Sequence, residues 1–171
     1  ILVTGGTGLV GSHLLHHLLK RGEKVRATKR PTSNVGDVKL AFSFYGDAGI
    51  DLLQQVEWVD VDLTNPAAVD ALFTDVDRVF HCAAQVSFRP QDARMMRTIN
   101  PKITANLVNA ALAHRIVHFA HVSSVASIGR KKEQDELITE DMEWKNDTHV
   151  SNYAVNKYLS ELEVWRGIEE G

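Results

Sequence analysis

The sequence predicts an α/β chain built as a doubly wound parallel sheet. Three observations carry that prediction. Short β-branched runs alternate with longer amphipathic runs five times along the chain, the pattern of a parallel sheet with helices on both faces. The first short run, Ile1 to Thr4, stops in a cluster of glycines. The segment after that cluster repeats its apolar residues at three and four, the period of one helix face.

In order, Ile1 to Thr4 reads as a buried strand. Leu9 to Lys20 reads as a helix whose apolar face carries Leu9, Val10, Leu14, Leu15, Leu18 and Leu19. Lys20 and Arg21 suit a helix C-terminus, and Gly22 stops it. Lys24 to Thr28 is a second strand. Pro31 to Gly49 is looser, with one helix expected over Val35 to Tyr45. Glu57 to Val61 is a third strand. Asn65-Pro66 then opens a helix, Asn as the cap and Pro preset for the first turn. Arg78 to Ala83 is a fourth strand. A long helix spans Arg94 to His114, and Pro101 should kink it or start it afresh. Val117 to Val122 is a fifth strand, Gly129 to Val150 a charged loop, and Ser151 to Glu169 the last helix.

The chain has 171 residues, 44% hydrophobic and 24% charged, with a formal net charge of −3. That composition suits one globular domain over residues 1–171 and excludes disordered, collagen-like and disulfide-stapled classes. The slight acidic balance gives no electrostatic footprint for nucleic acid. Cys82 is the single cysteine, so no internal disulfide forms, and a reducing, cytoplasmic compartment is expected. No apolar run is long enough to span a bilayer. The opening residues carry no basic leader, and the chain is expected to be the N-terminal part of a longer one.

Thr4-Gly5-Gly6-Thr7-Gly8-Leu9-Val10-Gly11 lies between the first strand and the first helix. Gly6, Gly8 and Gly11 fit G-x-G-x-x-G, while Gly5, Gly8 and Gly11 fit G-x-x-G-x-x-G. Either way a tight turn, a backbone bare enough to approach a diphosphate and a helix N-terminus coincide. A glycine triplet alone is a generic turn; strand before and helix after make it a dinucleotide cradle. The second strand ends in Thr28-Lys29-Arg30, where an acid would accept the ribose 2′-OH of NAD. Two cations there suit a 2′-phosphate, so NADP is expected, with NAD as the alternative. A solvated Lys-Arg pair is the bland explanation.

Tyr153 and Lys157 stand four apart near the start of the last helix, hence on one face. A tyrosine titrates near 10, poorly matched to neutral acid/base work, and a nearby ammonium favours its phenolate. Y-x-x-x-K by itself is common on amphipathic helices. Here it follows, in one chain, the glycine turn, Asp62-Leu63, His81-Cys82-Ala83-Ala84, Asn100 and Ser123-Ser124. This order resembles the short-chain dehydrogenase/reductase superfamily, in its extended branch of epimerases, dehydratases and reductases. The resemblance covers nearly the whole chain. Val25 to Arg30, Ala84-Gln85-Val86-Ser87-Phe88 and Asn152-Tyr153 look most like its dihydroflavonol-4-reductase-like group.

The resemblance implies a Rossmann-type fold in which Gly5, Gly6, Thr7, Gly8, Leu9, Val10 and Gly11 surround the diphosphate, with Lys29 and Arg30 at the adenosine ribose. It implies that Asp62 meets the adenine amino group beside Leu63. Cys82, Ala83, Ala84 and Val122 would line the cofactor. Tyr153 would be the general acid/base, Lys157 would hold the nicotinamide ribose and tune Tyr153, and Asn100 would have a structural or proton-relay role. The serine five positions before Gly129 is Ser124, whose hydroxyl would hold the substrate oxygen. Val86, Ser87 and Phe88 border the substrate in that group; for Phe88 core packing is an equal reading. The implied reaction is NADPH-dependent reduction of a ketone or aldehyde. The alternatives are an NAD-dependent epimerase or dehydratase acting on a sugar nucleotide, and a non-catalytic dinucleotide sensor. The resemblance leads one to expect a C-terminal substrate lobe that this chain does not include, and dimerisation through the two long helices is a family-based expectation.

Other signals point nowhere. His13 and His17 share a helix face but lack a third ligand, so no metal is expected and both read as solvent-facing. His118 and His121 fall on opposite faces of a strand. Ser123-Ser124 lacks a G-x-S-x-G elbow. Glu133, Asp135, Glu136, Glu140 and Asp141 read as a solvated acidic loop, and the environment of Trp144 and Trp165 stays open.

Overall fold

The computed structural model describes residues 1–87, 89–129, 137–145 and 150–171. Five parallel strands, β1 (Leu2–Thr4), β2 (Arg26–Lys29), β3 (Glu57–Asp60), β4 (Arg78–His81) and β5 (His118–His121), form one sheet in the order β3-β2-β1-β4-β5. The helices are α1 (Leu9–Lys20), α2 (Val35–Ser43), α3 (Asp47–Leu53), α4 (Pro66–Asp70), α5 (Ala93–Ala113) and α6 (Asn152–Glu170). The chain divides into two compact units: Ile1–Ala84 with Ala110–Val122, and Gln85–Asn109 with Ser123–Gly171.

The first unit contains the whole sheet. Leu2 pairs with Arg26 on one side and Val79 on the other, so β1 is central and its side chains are buried throughout. Leu15, Leu18 and Leu19 of α1 join Val3, Ala27, Val38 and Phe42 in the core. Leu9 and Val10 do not: they are 78% and 52% exposed. The periodicity that placed them on the buried face fails in the first turn of α1, where the helix leaves the glycine turn at the open end of the sheet. The loose stretch holds two helices rather than one, because Gly46, at φ +84°, breaks the chain between α2 and α3. Asn65 caps α4 as expected, its Oδ1 accepting from the N–H of Ala67 at 3.1 Å and of Ala68 at 3.4 Å. Arg78 grips Glu23 through two bonds of 3.1 and 2.8 Å, which hold the Glu23 carboxyl below its ordinary range.

The histidines of α1 are not all solvent-facing. His13 Nδ1 lies 2.7 Å from the Tyr45 hydroxyl. His16, at a position the sequence reading passed over, is buried, stacked on the Tyr45 ring at 3.6 Å with Phe42 edge-on. Burial holds the His16 pKa below its ordinary value, with smaller pushes from His17, Lys20 and His13.

In the second unit, α5 runs unbroken through Pro101, so the expected fresh start does not occur. The lost N–H leaves the carbonyl of Arg97 without its helical donor, and Arg97 is exposed, where water can serve. The α5 and α6 helices pass so closely that a Cβ on Gly167 would run into Val108 Cγ1. Arg166 Nη2 donates to Asn109 Oδ1 at 2.8 Å beside that crossing. Ser151 caps α6, its Oγ accepting from Ala154 N at 3.1 Å. Trp144 stacks flat on Tyr158 at 4.2 Å, which answers the question left open for that tryptophan. Of the acidic loop, Glu140 and Asp141 lie in an exposed turn, while Glu133, Asp135 and Glu136 lie outside the described residues. Among the described residues no helix is long and apolar enough to cross a membrane.

Candidate functional site

The strand order reverses between β1 and β4, the place where open α/β sheets take their ligands. The glycine turn leaves β1 at this point. Gly5 has φ +68°, and a Cβ there would lie 2.7 Å from the Ala83 backbone after β4. A Cβ on Gly11 would strike the Gly5 carbonyl oxygen, so these two glycines are demanded by the chain's own packing. Gly8 is different. Its φ is −81°, and a Cβ there would meet nothing nearer than Gly5 O at 3.4 Å. The protein's own packing does not need a glycine at that spot, and the lack of a side chain there leaves the start of α1 open. Gly8 N donates to Gly5 O at 3.0 Å within the turn, while Gly6 packs against Ala27, Trp58 and Leu15.

Thr28 ties the turn to β2: Gly5 N donates to its Oγ1 at 3.3 Å and Gly6 N to its carbonyl at 3.2 Å. On the other flank Thr4 Oγ1 accepts from Ala83 N at 3.2 Å and meets His81 Nδ1 at 2.8 Å. His81, to which no motif points, is thus a buried support for the Cys82–Ala84 segment. Thr7 is half-buried, Leu9 and Val10 stand exposed beside it, and Val122 is pinned to β4 through His81 O at 3.0 Å. Asp62 Oδ1 accepts from the N–H and hydroxyl of Thr64 at 2.9 and 2.8 Å, which fixes its carboxylate at the exposed end of β3; Leu63 is buried. The two expected cations part company. Lys29 Nζ is held by Asp60 Oδ1 at 2.6 Å across the β2–β3 ladder. The Arg30 guanidinium is exposed and makes no hydrogen bond or ion pair among the described residues. Asp60 was missed because pairing partners on neighbouring strands leave no local signal.

The second unit holds the side chains expected to do chemistry. Tyr153 is half-buried one turn before Lys157, and Lys157 is only 7% exposed, an unusual depth for a lysine. A 3-10 turn, Val125–Ile128, packs along α6. Ser124 caps that turn, its Oγ accepting from Ala126 N at 3.2 Å. Acceptance leaves the hydroxyl proton to donate elsewhere, as a substrate-oxygen donor must. Ser123 donates instead to Glu161 at 2.6 Å, so the two serines have different partners. Asn100 is buried and engaged at both ends of its amide: Oδ1 accepts from Gln85 N and Nδ2 donates to Gln85 O, each at 2.8 Å. That double bond set makes it a clamp on the segment after β4. Ser87 donates to Asp92 Oδ2 at 2.6 Å, Val86 is exposed, and Phe88 lies outside the described residues. Among the described residues no cluster of His, Cys, Asp or Glu could hold a metal.

Comparison with known proteins decides the family. The model of the NAD dependent epimerase/dehydratase family matches residues 1–171. The chain belongs to that family. It is 31% identical over 181 residues to tetraketide alpha-pyrone reductase 2 of Arabidopsis thaliana, covering 99% of this chain and 54% of the relative. The solved structure of gox2253 is 30% identical with a TM-score of 0.80, over 99% of this chain and 47% of that one. UDP-glucuronic acid 4-epimerase from Bacillus cereus, solved in complex with NAD, is 25% identical with a TM-score of 0.74, over 98% of this chain and 52% of that one. The chain thus spans about half the length of the relatives it matches. Reductases and epimerases both stand among these relatives, and the extended short-chain dehydrogenase/reductase resemblance holds.

Proposed function

We propose that this chain is the dinucleotide-binding part of an NADPH-dependent reductase of ketones or aldehydes. NADPH, when bound, supplies the hydride that adds to the carbonyl carbon. The C=O pair moves to oxygen, Tyr153 gives that oxygen its phenolic proton, and solvent restores the proton to Tyr153. Lys157 favours the phenolate so formed, and Ser124 donates a hydrogen bond to the oxygen as charge builds on it. The glycine turn would hold the diphosphate, Asp62 the adenine, and Arg30 a 2′-phosphate. The observation that carries this reading is the depth of Lys157 one helical turn from Tyr153, a burial that a merely solubilising lysine does not need.

The test uses the full-length protein with NADPH and a panel of aromatic and aliphatic ketones and aldehydes. Tyr153→Phe should lower turnover about 10³-fold while NADPH affinity stays within about threefold. Unchanged turnover in that variant overturns the reading. A second reading, an NAD-dependent epimerase or dehydratase of a sugar nucleotide, uses the same three side chains. It is favoured by the Asp60–Lys29 pair, which occupies one of the cations assigned to the 2′-phosphate. Tenfold tighter binding of NAD than of NADP would select it. Dimerisation belongs to the same proposal, with Leu162, Trp165 and Ile168 exposed along α6 in its support; a monomer by sedimentation of the full-length protein would remove it.

A further inference from the structure

Tyr153, Lys157 and Glu161 stand at i, i+4 and i+8 on α6, and therefore on one face. Glu161 has no part in the chemistry derived above. Its carboxylate nevertheless lies within hydrogen-bond reach of three donor groups. Ser123 Oγ donates to Oε2 at 2.6 Å and Ser127 Oγ sits at 2.7 Å from the same oxygen, while Trp165 Nε1 reaches Oε1 at 3.4 Å. Ser123 and Ser127 flank the residue whose hydroxyl must be aimed. Ser123 precedes Ser124 directly, and Ser127 closes the turn that Ser124 caps, its N–H bonding to Ser124 O at 2.9 Å and its hydroxyl lying 2.7 Å from the same carbonyl.

We propose that Glu161 is a positioning residue for Ser124: its carboxylate fastens both sides of the Ser124 turn to the helix that carries Tyr153 and Lys157. Bonds of hydroxyls to a carboxylate are short and about twice as strong as neutral ones, so a single charged side chain can hold the turn against the torsional freedom of two serines. The register of the oxygen-orienting hydroxyl against the phenol is then set within one helix. It does not depend on the loop after Gly129. Both the reductase and the epimerase readings use Ser124 in the same way, and the inference rests on that shared use.

Glu161→Leu and Glu161→Gln in the full-length protein test it, with two readouts. In Glu161→Leu, backbone hydrogen exchange over Val125–Ile128 should rise at least about tenfold while exchange in α5 is unchanged; Glu161→Gln, which keeps an acceptor oxygen, should stay within about threefold of the parent. With NADPH and a panel carbonyl that the parent reduces, Glu161→Leu should lose about 10- to 100-fold in kcat, with KM for NADPH within twofold. Should Glu161→Leu fail to fold, the double variant Ser123→Ala/Ser127→Ala removes the same two donors and should give the same two changes. Unchanged exchange over Val125–Ile128, or unchanged kcat with faster exchange, overturns the proposal. If the parent reduces no carbonyl, the proposed reaction fails, and the exchange measurement still decides whether Glu161 holds the turn.

Discussion

The two units of the chain are built on opposite principles. In the first, the candidate cofactor face is made of what side chains leave out: Gly5 and Gly11 clear the way for backbone, and Gly8 leaves room that the protein itself does not fill. In the second, the candidate chemical face is made of what side chains add: a buried lysine at Lys157, an amide at Asn100 with both ends engaged, and a carboxylate at Glu161 beside two hydroxyls. A surface made of omissions responds to added atoms. A surface made of bonds responds to lost ones.

The glycines give the sharpest way to break that contrast. Gly5→Ala meets both a left-handed φ and the Ala83 backbone at 2.7 Å, so a loss of about 3 kcal/mol in unfolding free energy is expected by urea titration. A loss below about 1 kcal/mol would show that the turn is not so constrained. Gly8→Ala should cost less than about 1 kcal/mol, because the nearest atom is at ordinary contact distance. The same substitution should weaken NADPH and NADH alike by about tenfold or more in a fluorescence titration, since the added methyl stands where the diphosphate approaches. Gly8→Ala with full affinity would mean that the diphosphate lies elsewhere.

A smaller effect sharpens the cofactor question. Asp60→Asn releases Lys29, so affinity for NADP should rise about three- to tenfold while that for NAD moves less than twofold. Equal gains for both dinucleotides would place Lys29 away from the 2′ position. The smallest effect concerns His16. Its pKa is lowered in the folded state, so the unfolded chain binds the proton more readily. Stability is therefore full above the unfolded value near 6.5 and declines as pH falls below it. Urea midpoints at pH 7.5 and 5.5 should differ for the parent and converge for His16→Phe, a window above the carboxylate range in which Glu23 loses its bond to Arg78. An identical decline in both proteins would assign the slope to another group.

Legibility in the sequence follows the same division. Strands, most helices and the glycine turn announce themselves through period and punctuation, which are local, so the parallel sheet was readable, while the break at Gly46 that makes two helices of one was not. The capping role of Asn65 could be told by residue type and by the proline that follows it. What could not be read was pairing between residues distant in sequence: Lys29 with Asp60, Thr4 with His81, Ser123 and Ser127 with Glu161, His16 under Tyr45. Each depends on register or on helix packing, and neither is written in a short window. Glu161 alone left a trace, its i+8 spacing from Tyr153. The misplaced Leu9 and Val10 show the converse error, in which a helical period is trusted past the point where the helix leaves the core.

The crossing at Gly167 carries a consequence for any redesign of this chain. Gly167 lies fourteen residues beyond Tyr153 on α6, about 21 Å along the helix axis. A methyl group there would press on Val108 and push α6 away from α5, and α6 is the helix that carries Tyr153. On this helix, distance along the chain from Tyr153 does not make a position independent of it, because both ends share one packed element.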